Sequence, residues 1–496
     1  MSAVLVALVA VPLVAAIVSW WAGPRLADVV TVAGGACTLG LCLALVPTVA
    51  TGGHGRSVSA FAGWLRVDPL SMVFLIATAF LYAITAVFAV GYAAADRSVT
   101  VTYKRRLFAG LNLFAWAMAM APCVDNLGLL WVAIEVTTVV SALLVAIEGT
   151  DAAIEAAWKY ILLASLGLGV SLLATAVIYH AGSYTLGQAY DLSYSKLLAH
   201  SARLPAGTVR LAYLLAVLGF GTKVGLFPVH TWLPDAHSEA PTPVSALLSG
   251  SLLATSFYAI LRYYQVAQRS GAGGFARDVL AGFGVATLLL GTLYLASQRD
   301  LKRLLAYSSI EHMGILAIGV SFASPLAIAG ALLHVLAHAA AKGTSFFGAG
   351  SVVRKLRTKD LERIRGAAGT LPWSGPMLVA GMLGLSGMPP FGTFRSELSI
   401  VAGGLSGGAG ANTAEEAIAV ALVVLATLGF LGLSWHLTQS LLSPTPSGSV
   451  AKGETSWLIV LAMSLGLLGL LILGVHPPSQ LSDLLRGAAA ELGGPR

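Results

Sequence analysis

Residues 219–251 read GFGTKVGLFPVHTWLPDAHSEAPTPVSALLSGS. Lys223 stands at the end of a long apolar run, and Pro228 follows five residues later. Then come His230, Asp235, His237 and Glu239, and Pro241 and Pro243 precede the next apolar run. A lysine in hydrocarbon is costly, so an ionisable group inside a membrane points to function. Proline removes a backbone donor and breaks a helix. In a bilayer, broken backbone is tolerated only where protein buries it or where it lines a wet cavity. Lysine, helix break and histidines together have the form of an ion path. A lysine snorkelling to the interface beside an ordinary loop is the plainer reading, and the rest of the chain has to decide between them.

The whole chain is 57% hydrophobic and only 10% charged over 496 residues, against about 25% charged in soluble domains. That composition makes it an integral membrane protein. About fourteen apolar runs of roughly 20 residues follow one another, near 2–23, 27–50, 68–94, 107–122, 124–147, 155–181, 208–229, 241–265, 279–297, 303–323, 325–350, 372–403, 414–441 and 456–475. The first run lacks a basic leader and ends in Trp20, Trp21, Gly23 and Pro24, so it reads as a retained helix rather than a signal peptide. Cys37, Cys42 and Cys123 lie in or beside apolar runs and form no CxxC. That speaks against a cluster, a zinc site or a disulfide framework. No dinucleotide fingerprint or phosphate loop is visible. The net charge of +7 is spread over membrane loops and is no nucleic-acid signal. Loops after odd-numbered helices are the more basic, holding among others Arg97, Lys104, Arg303, Arg354 and Arg365. The positive-inside rule then predicts cytoplasmic odd loops, and both termini on the outer, periplasmic side of the cell inner (plasma) membrane.

Helices 1 to 3 read as packing or partner surface, with Asp68-Pro69 opening helix 3 as N-cap and first helical residue. Helix 5 carries Glu135 near its middle, and Lys159 and Lys223 on the next two helices are available partners. A glutamate tying two helices together is the bland alternative. Lys159 also stands four residues after Glu155, a simple helix pair. Residues 182–207 are polar and read as a loop with a short interfacial helix. Glu311 and His312 lie about two turns inside helix 10. Helix 11 spaces His334, His338 and Lys342 four apart, on one face. Three titratable groups on one stripe suit a proton relay. Metal binding by His334 and His338 fits the spacing alone, but no carboxylate or cysteine on that stripe supports it, and no metal site is expected. Helix 12 is broken at Pro389 and Pro390, with Arg395 and Glu397 just beyond. The remainder after helix 14 reads as a short tail.

Counted in fives, helices 4–8 put Glu135 on the second helix and broken Lys223 on the fourth. Helices 9–13 put Glu311 and His312 on the second and broken Glu397 on the fourth. Five is odd, so the second unit starts from the opposite membrane face, as in inverted-topology repeats. The expected class is an all-α polytopic membrane protein of about fourteen transmembrane helices, with two inverted five-helix repeats and broken helices 7 and 12. The divisions fall at 1–104, 105–266 for the first repeat, 276–441 for the second, and 442–496. No group here captures a substrate or does redox chemistry, so neither a catalytic site nor a cofactor is expected and the energy comes from a partner or an ion gradient.

The motifs GLLWVAIEVTT, EAAWKY, GTKVGLFPVHTWLPDAHSEAPTPVSALLSG, QRDLKRLLAYSSIEHMG and GMPPFGTFRSEL resemble the antiporter-like membrane subunits of respiratory complex I and of Mrp-type cation/proton antiporters. Within that superfamily the wording is most similar to the hydrogenase-4 component F type of membrane-bound hydrogenase complexes. The resemblance covers roughly residues 60–440. It implies proton translocation along a central polar axis of Glu135, Lys223, His312, His334, His338, Lys342 and Glu397, with helix breaks at Pro228, Pro389 and Pro390; Lys159 joins the row by its own place between Glu135 and Lys223. It implies membrane partner subunits in the lipid bilayer and, through them, a peripheral redox arm. In one place the chain departs from the pattern: many complex I members carry a lysine on helix 8 where Ala254 stands here. Lys342 or His338 would have to supply the missing group. The competing readings are a sodium/proton antiporter subunit of Mrp type, a membrane anchor that has lost transport, and a membrane partner of an inorganic-carbon uptake complex.

Overall fold

The computed structural model describes residues 1–50, 57–95, 99–406, 413–444 and 451–493. Arg56, Arg97 and Arg496, which enter the loop-charge reading, lie outside the described residues. Each of the fourteen apolar runs carries helix. Among the described residues, twelve helices are long and apolar enough to cross a membrane. The fourth run forms Val101–Met120, whose first turns hold Lys104, Arg105 and Arg106. The twelfth is split into Ser374–Leu385 and Gly392–Leu405. The chain is therefore the all-α polytopic membrane protein that its composition predicts.

The helices differ sharply in burial, and this locates the interior. The apolar window of Thr242–Arg269 is entirely buried, and those of Leu301–Ser321 and Pro325–Leu356 are 94% and 89% buried. By contrast, Ser2–Trp21, Thr413–Leu441 and Trp457–Val475 bury about a third of theirs or less. The buried helices are also the ones that carry hydroxyls, histidines and lysines in their middles. A polar group there is shielded from lipid and can be satisfied by its neighbours.

Two breaks shape the interior. Ala206–Val224 stops at Gly225, which takes a left-handed φ of +84°. A Cβ at Gly225 would stand 2.6 Å from Leu233 Cδ1, so glycine is needed both for the turn and for the close approach. The chain then makes the short helix Trp232–Glu239 before entering Thr242–Arg269. Within that last helix, Leu248–Leu252 forms a π turn, a feature frequent at functional sites. The second break lies between Leu385 and Gly392, with Gly387 at φ +70°.

The loops sort onto two faces. Loops following odd-numbered helices meet through Asp235, Glu239, Asp300, Arg303 and Lys359. On the other face a small hairpin, Val58–Ala60 against Leu65–Val67 in antiparallel register, meets the loop around Tyr194 and the chain's last helix. The polar 182–207 stretch contains the expected short helix, at Tyr194–Ala199. The expectation of a plain tail is corrected. Ser479–Leu492 is a helix that buries Leu484, Leu485, Ala488, Ala489 and Leu492 against the body of the protein. The leucines and alanines recur at helical spacing, so one stripe is apolar although the segment as a whole is too polar to read as a span.

Candidate functional site

Asp68 caps the Pro69–Ala94 helix as expected, accepting from Ser71 N at 2.8 Å. It does more than that, because the buried Arg262 guanidinium donates to the same Oδ1 at 2.8 Å. Helix 3 is therefore more than packing surface.

Lys223 is completely buried. Its ammonium donates to Thr138 Oγ1 at 2.8 Å and also to the Tyr160 hydroxyl. Tyr160 is in turn 2.7 Å from Ser141 Oγ, and its ring stacks on Trp232 with centroids 4.4 Å apart. Trp232 Nε1 donates to Thr222 O at 2.8 Å. The tryptophan of the broken segment thus fixes the tyrosine that receives the lysine. Glu135 lies on the same helix as Thr138 and accepts from Ser165 Oγ at 3.3 Å. Its second carboxylate oxygen is buried with no hydrogen-bond partner. Lys159 sits elsewhere. Its side chain is 49% exposed and pairs with Glu155 at 2.6 Å and Asp235 at 3.4 Å, at a polar cavity of about 410 Å³ on the odd-loop face. Asp235 pairs with Arg303 across that same cavity.

The second cluster lies on Leu301–Ser321 and Pro325–Leu356. Lys342 is fully buried. It donates to Leu305 O at 2.7 Å and to Ser308 Oγ. One turn earlier on its own helix is His338, and one turn before that His334. His312 Nδ1 and His334 Nε2 are 2.9 Å apart, and His334 Nδ1 reaches Ser396 Oγ at 2.8 Å. The His312 ring lies 5.1 Å from that of His338. Both nitrogens of His338 and Nε2 of His312 are buried without a partner. Glu397 completes the group: His312, His334 and Glu397 each bring one donor atom within 4.8 Å of the others. His312 and His334 hydrogen-bond each other, and Glu397 brings to them a carboxylate that the spacing of His334 and His338 did not supply. Pro389 and Pro390 lie in the break before this helix, and Pro228 in the break after Lys223.

His237 stands between the two clusters. It is fully buried, its Nδ1 is 2.8 Å from Leu233 O, and its Nε2 has no partner. Its ring centroid is 6.2 Å from that of Trp232 and 6.0 Å from that of Phe346, four residues beyond Lys342. Ala254 is buried in the core at 2% exposure. Sequence reasoning did not single out Tyr160, Ser165, Ser308 or Ser396. Their only signal was a hydroxyl inside an apolar run, which is as often local helix bonding as function.

Two broken helices around a buried chain of titratable groups define a membrane transport subunit of antiporter type. The chain belongs to the NADH:quinone oxidoreductase/Mrp antiporter transmembrane family, whose model matches residues 124–425. It is 36% identical over 342 residues to a hydrogenase-4 component F homolog of Methylacidiphilum infernorum, a match that covers 68% of this chain and 71% of that protein. Among solved structures, a chain of the Mrp complex from Dietzia sp. matches 99% of this chain and 98% of its own length, at a TM-score of 0.84 and 23% identity. A chain of respiratory complex I from Thermus thermophilus matches 99% of this chain and all of its own, at a TM-score of 0.80 and 23% identity. Both structures are of multi-subunit membrane complexes.

Proposed function

We propose that this chain translocates protons as the antiporter-like membrane subunit of a membrane-bound hydrogenase or NADH:quinone oxidoreductase-like complex. The observation that carries the reading is the row Glu135, Lys223, His237, Lys342, His338, His312, His334 and Glu397, half-buried at its two glutamates and buried between them, mostly held by hydroxyl, carbonyl or imidazole partners. Lys159 belongs to the mouth of this row rather than its interior, at the odd-loop cavity beside Asp235.

A proton enters at that cavity and reaches Lys223 through Tyr160, held by Trp232. Moving a proton onto one member of the row changes the work of charging the next, which couples the sites electrostatically. Lys342 takes the place that a helix-8 lysine holds in many relatives, because Ala254 has no charge to offer. The histidine cluster then passes the proton through Ser396 to Glu397 at the second break. The two breaks anchor two inverted repeats, 105–266 and 276–441, flanked by 1–104 and 442–496. The basic odd loops face the cytoplasm of an inner membrane, which puts the termini outside. The energy comes from a peripheral redox arm through neighbouring membrane subunits, and the cargo is the proton rather than sodium.

The test is proton uptake in sealed vesicles holding the whole complex, comparing wild type with Lys223→Ala at matched protein levels. Loss of the pH gradient in the variant supports the reading. An unchanged gradient discards it. A gradient that requires added sodium reassigns the chain to sodium/proton exchange.

A further inference from the structure

The Pro69–Ala94 and Thr242–Arg269 helices meet along a line of hydroxyls that the row above does not use. At its outer end is Arg262, 4% exposed. It donates to Asp68 Oδ1 at 2.8 Å, Ser71 Oγ at 2.7 Å, the Tyr258 hydroxyl at 2.8 Å and Gln265 Oε1 at 2.9 Å. Ser71 and Tyr258 are themselves 3.1 Å apart. Seven residues further along each helix the pattern recurs, with Thr78 and Ser251 paired at 2.8 Å. Seven residues of helix rise about 10 Å, and Thr255 lies between, bonded to Ser251 O at 2.9 Å.

Ser251 belongs to the π turn, and so does Ser249. Ser251 faces the Pro69–Ala94 helix, whereas Ser249 pairs with Ser309 of Leu301–Ser321 at 2.7 Å. Ser309 donates to Leu305 O at 3.0 Å, the same carbonyl that accepts Lys342 at 2.7 Å. The line of hydroxyls therefore ends at the carbonyl that also holds the lysine at the centre of the row.

Its outer end opens on a cavity of about 350 Å³ bordered by Arg66, Asp68, Tyr194, Gln265, Arg269 and Glu491. Glu491 is on the last helix. Its Oε2 is buried with no partner. Burial pushes its carboxyl up to about 8, with the Asp68 charge adding to the effect and Arg262 and Arg66 opposing it. A purely structural role for these groups, pinning the last helix to the bundle, accounts for the Asp68–Arg262 pair. It does not account for a lone carboxylate oxygen in a cavity, nor for hydroxyl pairs that continue inward to Lys342. Interhelical hydroxyl bonds in membranes contribute only about 0.6 kcal/mol on average.

We propose that this seam is a second access branch of the row, carrying protons between Lys342 and the face that bears Asp68, Arg262 and Glu491, opposite the Asp235 cavity. The proposal rests on the proton-translocation reading. Within each hydroxyl pair one oxygen accepts a proton as the other gives one up, and water carries it from Ser251 to Ser249 and from Ser309 to Lys342, because the Leu305 carbonyl between the last two has no proton to pass on. Water admitted from the outer cavity bridges the interval between Ser251 and Tyr258.

The experiment uses the whole complex in sealed vesicles of known orientation. Thr78→Val with Ser251→Ala, and separately Tyr258→Phe, are compared with wild type and with Lys223→Ala, with subunit content checked in each. The expected result is an initial proton-transfer rate lower by roughly tenfold or more in the seam variants. Alongside it, Glu491→Gln flattens the rate's dependence on pH near 8 on that face, which a pinning role would not do. Wild-type rates and pH profile in all three variants overturn the proposal. A loss in the seam variants with a wild-type rate in Lys223→Ala keeps the seam and removes Lys223 from the path. The reverse pattern keeps the row and removes the seam.

Discussion

Lys342 and Ser309 share one acceptor: the lysine ammonium and the serine hydroxyl both donate to the carbonyl of Leu305, at 2.7 and 3.0 Å. Ser308 also receives Lys342, so one serine hydroxyl and one carbonyl hold the lysine in place. Ser308 and Ser309 each bond back toward Leu305 O, at 2.9 and 3.0 Å. This is the local pairing that hydroxyls adopt in helices, here turned to the use of a neighbour. Lys342→Met keeps much of the volume and removes the charge. We expect its proton-transfer rate to fall by about 10²-fold or more while the complex still assembles, as read by vesicle acidification and subunit stoichiometry. Ser308→Ala leaves the Leu305 carbonyl in place and should lose far less.

Tyr160 connects the lysine of one helix to the tryptophan of the broken segment. Removing its hydroxyl in Tyr160→Phe keeps the stacking on Trp232 and leaves Lys223 with Thr138 alone. Loss of a hydrogen bond to a buried charged group costs about 1.5–3 kcal/mol. Proton transfer should slow by roughly ten- to a hundredfold on that scale, with the pH dependence of the rate displaced. An unaltered rate and pH profile would show that Lys223 exchanges protons by another contact. Tyr160→Trp fills the same region with a bulkier ring and should damage assembly as well.

Much of this arrangement was legible before any coordinates. Lys223, Pro228 and the Pro389-Pro390 pair stood out because charge and proline are rare inside apolar runs, and each lies where a helix ends or breaks. His334, His338 and Lys342 stood out through their spacing of four. What the sequence could not give is pairing across distant helices. Glu135 and Lys223 look like natural partners by charge, yet serine holds the one, threonine and tyrosine the other. Lys159, like Lys223, is a lysine in an apolar run, but it lies about two turns from the start of Asp151–Leu186 and opens on the odd-loop cavity. Asp68 and Arg262 are 194 residues apart. No local pattern announces that pair, and the helix cap by itself accounts for an aspartate at this position. The last helix was missed because its apolar stripe is too short for a span.

Gly387 is held at φ +70°, and a Cβ there would collide with the carboxylate of Glu397. Two separate constraints therefore require glycine, one of backbone and one of space. Gly387→Ala should destabilise the protein by about 1–3 kcal/mol from the left-handed backbone alone. It should also push Glu397 away from the His312–His334 pair. The expected outcome is a lower thermal midpoint in detergent together with a reduced transfer rate. Gly387→Asn, which tolerates the left-handed region better, relieves the first effect and not the second. A variant that regains stability with asparagine while staying slow would place Glu397's position, rather than the fold, behind the rate.

The carboxyl of Glu491, raised to about 8 by burial and by Asp68, makes a prediction about stability with a definite sign. In the unfolded chain a glutamate releases its proton near 4.3, whereas in the folded protein Glu491 keeps it until about 8. Between these values the folded state binds more protons than the unfolded one, so stability falls as the pH rises through that window. The groups facing Glu491 are Asp68, Arg262, Arg66, Arg269 and Tyr194. Asp68, held charged by Arg262, stays ionised across the window, and the change is steepest midway between the two values. The measurement is the thermal midpoint of the purified protein at pH 5 and at pH 8.5, for wild type and for Glu491→Gln. The glutamine mimics the protonated acid, so the variant should exceed wild type slightly at pH 5, where the unfolded glutamate is already mostly ionised, and by far more at pH 8.5. Equal midpoints at both pH values would mean that Glu491 reaches water in the folded protein and titrates there as an ordinary carboxyl.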